Sequence, residues 1–344
     1  MERPPYTTSV SQNMDKIAQE ILVLIAYKLP TIDDIRRFRL VCRALSFAGF
    51  DVLFRRVSVL NTAENVKHFQ EVMRIKAPHQ VLLNTRHLTI YHGTWPLVNS
   101  RKDWLQHCLR LHRSNQHAPN AAFGHYKRFV SSQENGPGCE ARILTLFTSL
   151  PKLQSVSLSH VNTWSHTPFN NIHFEKLLDR ILILPFWGSF VAQPLSGILA
   201  HLNKFPNIKR LNIHGTLLPE QTEGTYDGIT HLEVRSIIRR SESATRNFLL
   251  SFPSLRSLEL QMDSCYAVEE HTLSLQHLHW PQLRICTLVD LCTTEDELFT
   301  FIQQHGKLRL VLLNYVTLTQ GSWGSLLARS GAMEKAPMII ADFM

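Results

Sequence analysis

The sequence predicts an α/β chain: three short N-terminal helices followed by an irregular array of short parallel strands and helices. Three observations predict it. An apolar template, LxxLxL, recurs six times, as Leu153-Val156-Leu158, Ile208-Leu211-Ile213, Ile229-Leu232-Val234, Leu255-Leu258-Leu260, Leu283-Cys286-Leu288 and Leu308-Val311-Leu313. The last five copies start 21, 26, 28 and 25 residues apart, and four copies follow a proline, in LPKL at 150, FPNI at 205, FPSL at 252 and WPQL at 280. Helix-period apolar patterns lie between the copies and fill residues 14–56. A strand that buries alternate residues, followed by a segment covering its back and then repeated, indicates parallel strands side by side.

From the N-terminus, residues 1–13 are polar, contain Pro4 and Pro5, and carry no secretory signal, so they are expected to be disordered. Residues 14–56 then place Ile17, Ile21, Ile25 and Leu29 every four positions, with Ala18 and Leu22 beside them. That gives a helix with an apolar face, ended by Pro30. Thr31 with Asp34 three residues later forms a capping-box pattern, and the Asp33 and Asp34 carboxylates suit the helix dipole. Ile35, Phe38, Leu40, Val41, Leu45 and Phe47 follow, and Gly49 is expected to break the helix before Val52, Leu53 and Phe54. These helices carry more apolar surface than they can bury alone. They need a partner.

The order of residues here resembles the F-box, the module of cullin-RING ubiquitin ligase subunits that docks on a Skp-type adaptor. The match over 14–56 rests on Ile17, Glu20, Ile21, Leu29, Asp34, Leu40, Val41, Cys42 and Arg43 at their joint spacing. The proline that usually follows the first apolar residue is Ala18 here, which loosens the start of the helix. The resemblance implies an adaptor contact through Ile17, Glu20, Ile21, Ile25, Leu40, Val41 and Cys42.

Residues 57–108 read as a linker strand and helix followed by a first repeat. Val57–Leu60 is a strand; Asn61, three residues before Glu64, caps a helix with Val66, Phe69 and Met73 on one face, closed by Pro78; and RHLTIYH from Arg86 is a second strand. Residues 109–140 turn polar and read as a long mobile or binding loop. The repeat domain spans 141–344. Its helices are CEARILTLFTSL, with Ile143, Phe147 and Leu150 on one side; LSGILAHLNKF, with Ile198, Leu202 and Phe205; and TTEDELFTFIQQH, opened by a Thr294–Glu297 capping box. Leu178-Ile181-Ile183 also fits the template and fills the 55-residue gap after Leu153, although FEKLLDRIL can be read as helix. The uncharged stretch 181–200 is broken by Pro185, Gly188, Pro194 and Gly197, so it reads as buried core and not as a membrane span.

The template resembles leucine-rich repeats, with one departure. The asparagine that usually follows the strand is replaced by Val161, Thr216, Ile237, Asp263, Leu291 and Val316, which implies an irregular, short curved array. The whole chain is similar to fungal F-box proteins with degenerate leucine-rich repeats, and FIQQHGKLRLVLLNYVTLTQGSWGSLL resembles their final repeat and helix.

Several chemistries are excluded. The net charge is +8 and the pI about 9.3, but the basic residues form no run along the chain and no aromatic stacking pattern accompanies them, so no nucleic-acid partner is expected. An acidic protein partner or a solvated surface explains the excess. Cys42, Cys108, Cys139, Cys265, Cys286 and Cys292 make no CxxC pair, which indicates a reduced, cytoplasmic or nuclear setting, with Cys286 and Cys292 as buried inert thiols. No GxSxG, GxxxxGKS/T or HExxH occurs, and neither His277 with His279 nor His107 with His112 completes a tetrahedral site. Neither cofactor, metal nor catalytic residue is expected.

The expected function is that of a non-enzymatic substrate-recognition subunit of an SCF-type ligase: the helices dock on the adaptor, and through it a cullin, while the repeats bind a target protein. Arg210, Asn212, His214, His231, Glu233, Arg235, Glu259 and Gln261 would face the target if the strands take the register of the template. The alternatives are an F-box scaffold outside ubiquitination and a repeat-based binding protein whose N-terminal helices only cap the array.

Overall fold

The computed structural model describes residues 17–74, 83–111, 120–161, 172–185, 192–217, 224–237, 242–262 and 273–342. Residues 1–13, Pro78, His112, Gly188, Asp263 and Cys265 lie outside them. The chain is a mixed α/β protein built on a nine-stranded, wholly parallel sheet.

Among the described residues three helices come first: α1 (Gln19–Lys28), α2 (Ile32–Phe38) and α3 (Arg43–Phe54). Pro30 separates the first two, and Thr31 caps α2 by accepting the Asp34 N–H at 3.1 Å. Gly49 does not break the third helix. It lies inside α3 where the Arg39 side chain crosses, and a Cβ would collide with the Arg39 Cγ; Arg39 continues over the Phe50 ring at 3.3 Å. The missing side chain serves a close approach and not a helix end. The helix pair instead breaks at Leu40 and Val41.

Helix α1 begins after Ala18, whose side chain offers no cap and whose φ of −56° matches the ring-locked value of proline. Ala18 donates no backbone hydrogen bond among the described residues. Ala18→Pro is therefore expected to stabilise the chain by about 0.4–1 kcal/mol, by reducing the freedom of the unfolded state. A lower melting temperature would show instead that the preceding residue cannot adapt.

The main sheet joins β1 (Arg56–Leu60), β2 (His87–His92), β3 (Ser155–His160), β4 (Arg210–Leu217), β5 (His231–Ile237), β6 (Ser257–Met262), β7 (Ile285–Val289), β9 (Leu310–Asn314) and β11 (Met338–Asp342) in that order. A separate parallel pair is formed by β8 (Cys292–Thr294) and β10 (Thr317–Gln320). The template sets the register: Val156, Leu211, Leu232, Leu258, Cys286 and Val311 are partners across successive strands, as are Leu158, Ile213, Val234, Leu260, Leu288 and Leu313. All twelve are buried, because parallel neighbours in register stack like side chains into one apolar ridge.

The connections carry α4 (Ala63–Arg74), α5 (Arg101–Leu111), α6 (Asn120–Asn135), α7 (Cys139–Ser149), α8 (Ile172–Ile181), α9 (Ala192–Leu202), α10 (Glu242–Leu250), α11 (Glu295–Gln304) and α12 (Trp323–Gly331). Ile143 and Phe147 of α7, Ile198 of α9, Phe248 of α10 and Phe301 of α11 join the strand ridges in one continuous core. A second core, with Trp104, Tyr126, Phe129 and Ile181, covers Leu60 and Tyr91 at the first strands. Thr294 caps α11 through the Glu297 N–H at 3.2 Å.

Several expectations change. The polar stretch 109–140, read as loop, carries helix in its described residues: the end of α5 and all of α6, whose Tyr126 and Phe129 are buried, while 112–119 lie outside the described residues. Leu178 and Ile181 belong to α8 and do not form a strand. The cap of α4 is Thr62, which accepts the Asn65 N–H at 3.3 Å, while Asn61 is buried and bonds Arg142. A strand, β11, follows the helix that was expected to end the array.

Several strands of the main sheet end in a common backbone turn. Two residues past the third template position, Gly215, Ser236, Asp290 and Tyr315 all have positive φ, of 150°, 69°, 54° and 55°. That turn sends Ile237, Leu291 and Val316 back into the core. Neighbouring backbone then closes the ends: Thr317 N–H donates to Leu291 O at 2.9 Å, and Val161 N–H to His92 O at 2.9 Å.

Candidate interaction surfaces

The three N-terminal helices share a very small core of their own, Leu22, Leu45 and Ala48, with Ile17, Val23, Phe38, Cys42 and Ala44 packed half-buried against it. The inward stripe of α1 is Leu22 and Ala26; the stripe Ile21, Leu24 and Ile25 points outward. Ile21 is 51% exposed, Ile25 43%, Leu40 86%, Val41 60% and Phe47 56%. Of the thirteen exposed large hydrophobic residues among those described, seven lie on these helices or the turn between them. Single exposed apolar residues are ordinary, but this density is not. Of the adaptor residues expected from sequence, Ile21, Ile25, Leu40 and Val41 are exposed with Glu20, whereas Ile17 and Cys42 are half-buried in the small core. Leu24, Tyr27 and Phe47 are further exposed apolar residues, and on α1 the spacing of Leu24 three residues after Ile21 and Tyr27 three after Leu24 was the available signal.

The face of the sheet away from the helix-packed ridges carries every expected target residue. His214 Nε2 lies 2.8 Å from Glu233 Oε1, and Arg235 bridges Glu233 at 2.7 Å and Glu259 at 3.2 Å. Burial raises the Glu233 pKa, but the bonds from His214 and Arg235 outweigh it and hold the carboxyl below its ordinary value. Asn212 donates to Ser157 Oγ at 3.0 Å, Gln261 to Asp290 at 3.0 Å, and the His231 ring lies 2.9 Å from the Thr230 hydroxyl. Arg210 is exposed at the edge of this network. Toward the C-terminal strands the same face turns apolar, with Ile285, Met338 and Ile340 40%, 64% and 50% exposed. Sequence reading missed that change because β11 was not expected.

A cleft of about 840 Å³ opens between α4, α6 and the start of α7. Its wall includes Val66, Lys67, Arg74, Arg128, Phe129 and Arg142. Arg142 is buried and uses Asn61 Oδ1 at 2.9 Å and Pro137 O at 2.5 Å, with no carboxylate partner among the described residues. Burial lowers its pKa. Since α6 was read as loop, nothing in the sequence pointed here.

No cluster of three or more potential metal ligands occurs among the described residues. Burial pushes the Cys286 thiol up to about 12, which suits an inert side chain. No helix among the described residues is long and apolar enough to cross a membrane.

Burial also lowers several histidines: His87 to about 4 with help from Arg56 and Arg55, His92 to about 4, and His160, His231 and His305 in the same direction. The unfolded chain takes up these protons below about pH 6.5 while the folded chain does not, so stability is full above that pH and falls as pH drops toward 4. The expected result is a melting temperature that declines between about pH 7 and pH 5, above the range where ordinary carboxylates titrate. A flat profile would contradict the burial of these rings.

No family model matches the chain, and no curated protein matches it.

Proposed function

We propose that the chain is a non-catalytic substrate-recognition subunit of an SCF-type ubiquitin ligase, with residues 14–56 as an F-box and the sheet with its helices as a degenerate leucine-rich-repeat domain. One observation carries the reading: three short helices whose buried apolar residues are Leu22, Ala26, Ile35, Leu45 and Ala48 display seven large exposed ones, four of them at the adaptor positions implied by the F-box resemblance. A face of that kind is covered when a partner helix or groove docks, and removing its area from water contributes roughly 25 cal/mol per Å². The open face of the parallel sheet then supplies a broad surface for a target protein. The chemistry is proximity, which raises the effective concentration of a target lysine near a loaded conjugating enzyme.

The reading that the helices merely cap the sheet is less favoured, because a cap would turn its apolar stripe inward, and Ile21, Leu24 and Ile25 point outward. The test is co-purification of the full chain with a Skp-type adaptor and a cullin. Retention of both is the expected result; retention of the adaptor alone would make the chain a scaffold, and retention of neither would end the proposal.

A further inference from the structure

Six of the 36 Lys and Arg residues, scattered along the sequence, are brought side by side where the strands of the main sheet begin. At the leading end of each strand, the residue before the first ladder pair has a carbonyl that accepts from the next strand: Arg86 N–H donates to Arg55 O at 2.9 Å, Gln154 to Arg86 and Lys209 to Gln154 at 2.8 Å, Thr230 to Lys209 at 2.9 Å. The series continues with Arg256 on Thr230, Arg284 on Arg256 and Arg309 on Arg284, each at 2.8 Å. These bonds make Arg55, Arg86, Gln154, Lys209, Thr230, Arg256, Arg284 and Arg309 a single rank of side-by-side residues. Six are basic, two are neutral and none is acidic. Arg86, Lys209, Arg256, Arg284 and Arg309 are exposed, and none of the six cations has an ion-pair partner among the described residues. Arg56 and Arg210 extend the rank onto the open face.

Adjacent strands lie about 4.8 Å apart, so Arg256, Arg284 and Arg309 stand on three consecutive rungs, an arrangement that like charges oppose. Folding alone does not call for it. The lowered pKa of His87 and His231, due first to burial and then to these arginines, reports the same concentrated potential.

We propose that this rim binds an extended, Asp/Glu-rich segment of another protein. Eight rungs span roughly 34 Å, which an extended peptide covers in about ten residues. Single cations on six of the eight rungs match a run of single carboxylates, whereas a phosphate is held by several cations converging on one point. Single-stranded nucleic acid is bound on a series of exposed aromatic platforms; of Tyr27, Phe47 and Tyr315, the exposed aromatic residues among those described, Tyr27 lies 5.0 Å from Arg55 at one end of the rank, and a single ring at one end is not such a series. Beside Arg284 and Arg309 lie Ile285, half-buried Leu310 and Met338, paired in one row, so the segment ends in apolar residues at that side. If the proposed function holds, the rim names the class of target; the binding itself requires no adaptor.

The test uses the full chain without adaptor and a fluorescent acidic peptide of about twelve residues ending in Leu-Leu-Val, followed by anisotropy. Expected are saturable binding that weakens with salt, and a loss of at least about thirtyfold in Arg256→Glu/Arg284→Glu/Arg309→Glu but not in Arg36→Glu/Arg37→Glu, which reverses two exposed charges on α2. Both variants are checked for an unchanged melting curve, and Arg284→Gln alone is expected to cost severalfold should the triple variant misfold. Equal binding by wild type and rim variants, or tighter binding of an oligothymidylate of similar length, would overturn the proposal. Loss of adaptor binding with peptide binding intact would refute only the ligase reading.

Discussion

A chain carrying Ile21→Asp and Leu40→Asp is expected to melt close to wild type and to lose the Skp-type adaptor. Both side chains are more than half exposed in the free chain, so charging them removes little folded-state packing, and surface changes of this kind fall within about 0.5 kcal/mol. In a docked apolar interface the same two carboxylates would be buried without partners. Central apolar anchors are worth about 2–4 kcal/mol each when lost, so the pair is expected to weaken docking by at least about a thousandfold. Leu22→Asp is the contrast. Leu22 is fully buried at the centre of the small core, and a charge there is expected to unfold the three helices. Pull-down together with thermal melts separates the outcomes: a double variant that still binds, or one that unfolds like Leu22→Asp, would show that the exposed stripe is not the docking face.

Trp280→Ala is expected to destabilise the chain by about 3–5 kcal/mol. The indole is fully buried and stacks at 6.0 Å on His305, itself 4.4 Å from Phe301. Burial lowers the His305 pKa, and two bonds fix its tautomer: its Nε2 accepts the Trp280 backbone N–H at 3.0 Å, and its Nδ1, 2.6 Å from the Phe301 carbonyl, carries the proton. The backbone bond survives truncation, so the loss is one of packing. Trp280 Nε1 has no partner among the described residues, so Trp280→Phe gives up volume without breaking a bond and is expected to cost less than half as much. Urea unfolding of the two variants is the measurement, and comparable losses would mean that ring volume is not what the site uses.

Much of this architecture is legible in the residues alone. The six template copies are six strands in register, because alternate burial in a parallel sheet needs only a local pattern. The Thr31 and Thr294 caps are equally local. What escapes reading depends on the third dimension. Helix α6 hides Phe123, Tyr126, Phe129 and Val130 in a polar composition, and their helical spacing is a better guide than the average. Gly49 looks like a breaker until Arg39 is seen crossing it. On α1 two apolar stripes compete, and only packing decides that Leu22 turns in and Ile21 out. The basic rim is diluted in the same way: Arg256, Arg284 and Arg309 are far apart along the chain and one rung apart in the sheet.

The order of strands has a further consequence for how the chain is made. From β1 to β7 every strand pairs with the one synthesised just before it, and β9 and β11 continue in the same sense. A growing chain leaving the ribosome therefore never has to wait for a distant segment to find its neighbour. Each emerging rung meets a finished edge, and the surface left open at any moment is one strand wide.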